Sequence, residues 1–309
     1  MFSHVPVMPN EAVDALDIRP DGIYVDGTLG GGGHSELILD KLSSGRLIGI
    51  DRDSEAISAA KERLSERECF TAVKGNFADM PRILEEQKIF HVNGILLDLG
   101  VSSHQISTAR RGFSFNADGP LDMRMDISLT HSAYDIVNTY AERALADIFF
   151  RFGEERNARR IARGIIKARE NSPIETTLRL ASVITEASPP RRGKAPHPAM
   201  RSFMALRIAV NNELAPLDAA ISEMVKLLTC GGRIAVITFH SLEDRIVKNT
   251  FRRHVSPCTC PREIPSCVCG NRQTLMLINR KPITPSKAEL ETNTRSRSAK
   301  LRIAEKVQV

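Results

Sequence analysis

A chain of 309 residues with 42% hydrophobic and 26% charged residues has the composition of a soluble globular protein, long enough for one large core or two domains. It shows no apolar run long enough for a signal peptide or a membrane span, so the expectation is a cytoplasmic protein with reduced cysteines. The net charge of +6 is unevenly spread: residues 1–105 carry 10 basic against 17 acidic residues (net −7), residues 106–212 carry net +6, and residues 213–309 carry net +7. A basic surface of that extent suits a polyanion such as RNA, with solvated surface charge as the alternative.

In chain order, the first informative stretch is residues 22–35. Ile23-Tyr24-Val25 reads as a short buried strand ending at Asp26, and five glycines fall within the next seven residues. A helical pattern (Leu37, Ile38, Leu42) follows from about Ser35. Strand, glycine turn and helix open a nucleotide-binding α/β fold. The loop has no lysine, which excludes a P-loop, and it offers Ser35 where a dinucleotide loop wants its third glycine. An acid at the strand end, Asp26, suits a cationic ligand better than a pyrophosphate. S-adenosylmethionine, with a sulfonium, an ammonium and no phosphate, fits that description. The methyltransferase reading is preferred, with a dinucleotide enzyme and a plain glycine turn as rivals.

The second strand, Leu47 to Ile50, ends at Asp51, 25 residues after Asp26 and close to where an acid meets a ribose in such folds. Helix capping, the other use for an acid here, falls to Asp53 or Ser54, ahead of Ala56, Ile57, Ala60 and Leu64 at helical spacing. A third strand, Phe70 to Val73, leads to Phe77, which either covers an adenine face or sits in the core. A helix over 80–87 precedes a fourth strand, Gly94 to Asp98, apolar throughout like a central parallel strand. Asp26, Asp51, Phe77 and Asp98 would then gather at the carboxyl ends of the strands, where ligands bind in open α/β sheets.

Residues 106–135 are rich in turn formers. A helical pattern runs from about Ala141 to Ala187, with Arg156, Arg159, Arg160, Arg163 and Lys167 on one side. With no strand-like run between Asp98 and Arg233, residues 106–212 read as a basic helical insertion between the two parts of a sheet domain, 1–105 and 213–309. A basic loop at 189–198 returns from it into a long helix, Met200 to Leu228, with a break at Pro216. Gly231-Gly232-Arg233 reads as a tight turn into a fifth strand, Ile234 to His240, and Ser241 as the N-cap of the next helix. Leu275–Ile278 and Leu301–Val307 suit an antiparallel edge pair. Cys258-x-Cys260 and Cys267-x-Cys269 offer four thiolates to a structural zinc, although Cys-x-Cys is tighter than the usual ligand spacing; unmetallated thiols are the other reading, and no catalytic metal is expected.

Several long motifs carry a resemblance: Asp26 to Ser35, Ile95 to Ser103, Arg111 to Phe115, Gly119 to Asp126, Thr238 to Arg245 and Arg297 to Arg302. On these the chain resembles the MraW (RsmH) family of bacterial rRNA methyltransferases, in one order from near residue 4 to near residue 305. The resemblance implies a class I S-adenosylmethionine-dependent (Rossmann-like) α/β domain interrupted by a helical domain. It also implies methylation of the exocyclic N4 of one cytidine in the decoding region of 16S rRNA. Cofactor contacts are implied at Gly32, Gly33, His34, Asp51, Phe77, Asp98 and Gln105, beside Asp26 from the charge argument. Asp98 is the candidate catalytic residue, as an acceptor near N4 or near the cofactor's amine. Phe113 and Phe115 either stack on a flipped base or anchor the insertion's loop. The Asp-Pro-Pro-aromatic segment of other amino-methyltransferases is replaced by Asp98-Leu99-Gly100-Val101, so their base-holding geometry does not carry over. A nicotinamide oxidoreductase and a non-catalytic RNA-binding assembly factor are the rival functions. The substrate is expected to be 16S rRNA in the assembled 30S subunit; the oligomeric state is left open, a homodimer included.

Overall fold

The computed structural model describes residues 6–189, 196–261 and 266–308, so most of the basic loop at 189–198 lies outside the described residues. The chain forms two compact units, Met1–Gly100 with Leu214–Val309, and Val101–Glu213 between them.

The first segment runs α1 (Pro9–Ala15), β1 (Ile23–Asp26), α2 (Gly33–Leu39), β2 (Arg46–Asp51), α3 (Ser54–Arg63), β3 (Phe70–Lys74), α4 (Met80–Glu86) and β4 (Val92–Asp98). The strands lie within two residues of the expectation at each end, and Asp53 caps α3 by accepting from the Glu55 N–H at 3.0 Å. The short α1 is an addition that the spacing of its few apolar residues does not announce.

The intervening unit is helical: α5 (Ser103–Ser107), α6 (Ala133–Thr139), α7 (Glu142–Gly153), α8 (Ala158–Asn171), α9 (Thr177–Ala187) and α10 (Ala199–Asn211). It has its own core, in which Leu145, Phe149, Ile161, Ile165, Leu180, Ile184 and Leu206 are fully buried. The turn-rich stretch before α6 is tied down by polar side chains. Asn211 accepts the Met125 N–H at 2.7 Å and donates to the carbonyls of Met123 and Arg207. Arg111, also buried, donates to the carbonyls of Arg124 and Met125. Phe113 is buried in this core, and the Phe115 ring stacks on His197 (4.8 Å, 15°) and meets Phe203 edge-on. Both rings therefore serve as loop anchors.

The chain returns through α11 (Leu217–Leu227), β5 (Leu228–Thr238), α12 (Ser241–Val255), β6 (Leu275–Leu277), α13 (Lys287–Thr292) and β7 (Lys300–Lys306). The long helix is broken at the expected place: α10 and α11 are parted at 212–216, where Asn212 is left-handed (φ 48°) and Pro216 caps α11. β5 is longer than expected: Gly231 and Gly232 lie inside it, at a register shift against β4, because glycines accommodate an irregular pairing as well as a turn. The N-cap of α12 is His240, whose ring accepts from the Glu243 N–H, and Ser241 is its first helical residue.

All seven strands join one sheet in the order β3-β2-β1-β4-β5-β7-β6; β7 runs antiparallel to both its neighbours and the rest pair in parallel. Alternation along the strands feeds two cores. Val25, Ile48, Ile95, Leu97, Ile234 and Val236 pack with residues of α4, α11 and α12, while Tyr24, Leu47, Leu96, Ala235 and Ile237 pack with α1 and α2. The strand order reverses between β1 and β4, which makes their carboxyl ends the switch point of a Rossmann-like sheet.

Candidate cofactor-binding and active site

β1, β2 and β4 each deliver an aspartate to that edge. Asp26 ends β1 and is 1% exposed. Its oxygens accept the Thr28 N–H (3.2 Å) and the Ser35 hydroxyl (2.8 Å), which ties both ends of the glycine loop to the strand. Burial pushes its pKa up to about 6. Within the loop, Gly32 has φ +78° and caps α2; a Cβ there would lie 3.1 Å from Leu64 Cδ1, so both the turn and the packing require glycine. Gly33 begins α2 against Pro6.

Asp51 ends β2. One oxygen accepts the Gly30 N–H and the other the Asp53 N–H, both at 2.8 Å. Burial raises its pKa to about 6 against the help of those two bonds. A carboxylate has about four lone-pair sites, so two remain open to donors such as ribose hydroxyls.

Asp98 ends β4. Its N–H donates to the Thr28 hydroxyl at 2.5 Å, which locks the β4 end to the loop after β1. Its Oδ1 is buried and has no hydrogen-bond partner among the described residues. Burial holds its pKa well above the carboxylate range, and the charges of Asp26, Glu243 and Glu289 push it the same way. His34, also buried, binds the Val7 carbonyl through Nε2 at 2.9 Å; that nitrogen must donate, leaving Nδ1 as an acceptor in the neutral ring. Burial lowers the His34 pKa to about 4, so the ring is neutral at physiological pH. Nδ1 lies 3.8 Å from Asp98 Oδ2, too far for a hydrogen bond and without the charge for an ion pair. Two acceptors thus face each other, an arrangement that a proton or a hydrogen-bond donor relieves.

Phe77 follows β3 and is 7% exposed, packed among Met80, Ile83 and the strand residues beneath, so most of its ring is used in the core. Gln105 lies in the helical unit, where it is buried and completes a capping box: its Oε1 accepts the Ser102 N–H at 3.0 Å, and its own N–H donates to Ser102 Oγ. Sequence reasoning missed several contributors. Thr28 and Ser35 act by hydrogen bonding within the loop. Glu243, buried beside His240 at 3.1 Å, accepts the Phe239 N–H, and Glu289 accepts the Met8 N–H. The first two were legible as polar positions in the motif; Glu289 is 281 residues from Met8, and nothing local marks it.

The residues present fit S-adenosylmethionine. The switch point holds carboxylates at three strand ends, an unsatisfied buried oxygen on one of them and a glycine turn that leaves the backbone open. The carboxylates at the strand ends would disfavour a phosphate, and the glycine turn would admit either kind of ligand. Comparison with known proteins agrees. The chain is 52% identical over 307 residues to a "Ribosomal RNA small subunit methyltransferase H" of Clostridium botulinum, covering 99% of each chain. Proteins of that same description from Paenibacillus (53% over 320 residues, 99% and 100% covered) and Carboxydothermus hydrogenoformans (50% over 307 residues, 99% and 98%) are similar to it as well. Residues 1–307 match the MraW methylase family, and the chain belongs to that family.

Proposed function

We propose that this protein transfers a methyl group from S-adenosylmethionine to 16S rRNA of the small ribosomal subunit, on the exocyclic N4 of a cytidine in the decoding region. Family membership supports the reaction class, and the relatives' shared description supports the class of RNA. The observation that carries the assignment to these residues is the unpartnered Asp98 oxygen among acids at the sheet's switch point.

When bound, S-adenosylmethionine supplies an electrophilic methyl group on a positively charged sulfur. Gly32 and Gly33 would admit it, Asp51 would accept from its ribose hydroxyls, and the acidic edge at Asp98 and His34 would face its cationic end. Asp26 shapes the loop that makes this possible. Phe77 would offer an edge of its ring, and Gln105 holds the segment after β4 in shape. A cytosine amine is a poor nucleophile because its lone pair is delocalised into the ring. Asp98 can accept one of its N–H bonds as that conjugation is lost, and this calls for no covalent enzyme intermediate. The exposed row Arg156, Arg159, Arg160, Arg163 and Lys167 on and before α8 makes the helical unit the proposed RNA-recognition domain. No helix among the described residues is long and apolar enough to cross a membrane, and a cytoplasmic setting follows from a ribosomal substrate.

The test is transfer from labelled S-adenosylmethionine to unmethylated small subunits, with free 16S rRNA alongside and the product nucleoside identified by mass spectrometry. N4-methylcytidine from the subunits is the expected result. Methylation at another atom would overturn the N4 assignment, and transfer to free rRNA alone would overturn the assembled subunit as substrate. Failure of transfer to both, with the cofactor bound, would overturn the rRNA reading.

A further inference from the structure

The connection from α12 to β6 holds four of the chain's six cysteines, and methyl transfer uses none of them. Cys258 and Cys267 are exposed, and Cys260 and Cys269 are half-buried. Their four sulfurs all lie within 4.8 Å of one another. Cys267 Sγ is 3.6 Å from Cys258, 3.8 Å from Cys260 and 3.4 Å from Cys269. Four thiolates at about 2.3 Å from a tetrahedral zinc stand about 3.8 Å apart, so the spacing is that of a single ion's shell. An iron–sulfur cube sets iron and sulfide between its thiolates and spreads them farther.

The main chain is arranged around the sulfurs. The Val268 N–H points to Cys260 Sγ at 3.3 Å, and the backbone at Thr259 and Asn271 bonds Cys269. Gly270, at φ +68°, makes the left-handed turn that brings Asn271 back toward Cys269. Asn271 also donates through its side chain to the Pro257 carbonyl, and the Thr274 N–H donates to that of His254, closing the loop's base. What the loop lacks is a core. No described residue from 256 to 274 is buried, and Val268 is 75% exposed. Fixing that backbone costs conformational entropy at every residue, which exposed thiols with weak S–H donors do not recover.

We propose that Cys258, Cys260, Cys267 and Cys269 form a structural zinc site that folds this connection. The short Cys-x-Cys pairs suffice because they lie on two arms of one loop that face each other. The shell is closed by four protein ligands, which leaves no position for a catalytic water. The zinc holds the loop against the α12 and β6 ends and takes no part in methyl transfer.

The test uses the full chain, purified in reducing buffer without chelator and analysed by plasma mass spectrometry. One zinc per chain is expected, and cobalt replacement should give the intense visible bands of a tetrahedral tetrathiolate. In a Cys267→Ser, Cys269→Ser double variant, zinc content should fall roughly tenfold or more. Proteolytic cleavage between residues 256 and 274 should accelerate while S-adenosylmethionine still binds, which shows that the rest of the chain is folded. Stripping zinc from the unmutated chain with a thiol reagent and chelator should expose the same cleavage sites. Substoichiometric zinc with free thiols, a Cys267–Cys269 disulfide, or an iron chromophore would each overturn the assignment. So would zinc retained by the double variant.

Discussion

Asp98 is held where its charge is disfavoured. It is half-buried, its buried Oδ1 lacks a partner among the described residues, and Asp26, Glu243 and Glu289 all oppose its ionisation. A raised pKa on an acid means that the folded state loses stability as pH rises through the interval above the ordinary carboxylate value. Asp98→Asn removes that cost, so the ligand-free variant should melt a few degrees higher by calorimetry while methyl transfer drops by roughly a hundredfold or more. A variant that melts lower, or one that keeps its activity, would contradict the role. Cofactor affinity in the same variant separates the two partners: retained affinity places Asp98 at N4, and lost affinity places it at the cofactor's amine. A second prediction concerns Asp51, whose pKa of about 6 lies close to working conditions. Ribose hydroxyls donate better to the ionised carboxylate, so binding should release a proton. Affinity should then fall roughly tenfold per pH unit below pH 6. Isothermal titration in two buffers of different ionisation enthalpy measures the proton, and Asp51→Asn should flatten the dependence. At this scale the sequence was informative where a residue's position follows from the strand end that carries it, as for Asp51 and Asp98. It was silent where hydrogen bonding among neighbours decides: Asp26 is used by the loop and Gln105 by a capping box, while the core that takes most of Phe77 was one of its two readings.

Whole elements were easier to read, because burial on both faces makes the parallel strands uniformly apolar and the glycine loop has few alternatives. The misses have local causes. His240 displaces Ser241 as N-cap because an imidazole can accept the Glu243 N–H, a use that a Ser/Asp pattern does not anticipate. β5 runs through Gly231-Gly232 because its partner β4 supplies a register shift there. In the helical unit, the expectation of turns before α6 was sound, but the reason they hold one conformation is Asn211, at the far end of α10. Its side chain satisfies the Met125 N–H and the Met123 carbonyl, both otherwise stranded in the core. Asn211→Ala leaves them without partners at about 1–3 kcal/mol each. The variant should therefore lose about 2–6 kcal/mol in the unfolding of this unit, and amide exchange at Met125 should accelerate first. Exchange that stays slow at Met125 would mean that the loop is held by other contacts.

Across the whole chain, charge and chemistry are segregated. The acidic first third carries most of the proposed cofactor contacts, while the remaining two-thirds carries a net positive charge. Segregation of this kind serves a protein that must attract a cation to one place and a polyanion to another, since a uniform surface would weaken both. The exposed arginines 156, 159 and 160 are the sharpest point of the basic region, and none of them is needed to build the core of its own unit. Each phosphate contact contributes about 0.7–0.9 to the slope of log affinity against log salt. Replacing Arg156, Arg159 and Arg160 by Gln should therefore flatten the slope for small-subunit RNA by up to about 2–3, and weaken binding most at low salt. S-adenosylmethionine affinity and the melting temperature should stay where they were, because neither depends on exposed guanidinium groups. Filter binding across a salt series, with cofactor titration on the same preparation, measures both. An unchanged slope would show that these arginines are only a solvated face, and would move the RNA-binding surface to the basic carboxyl-terminal third.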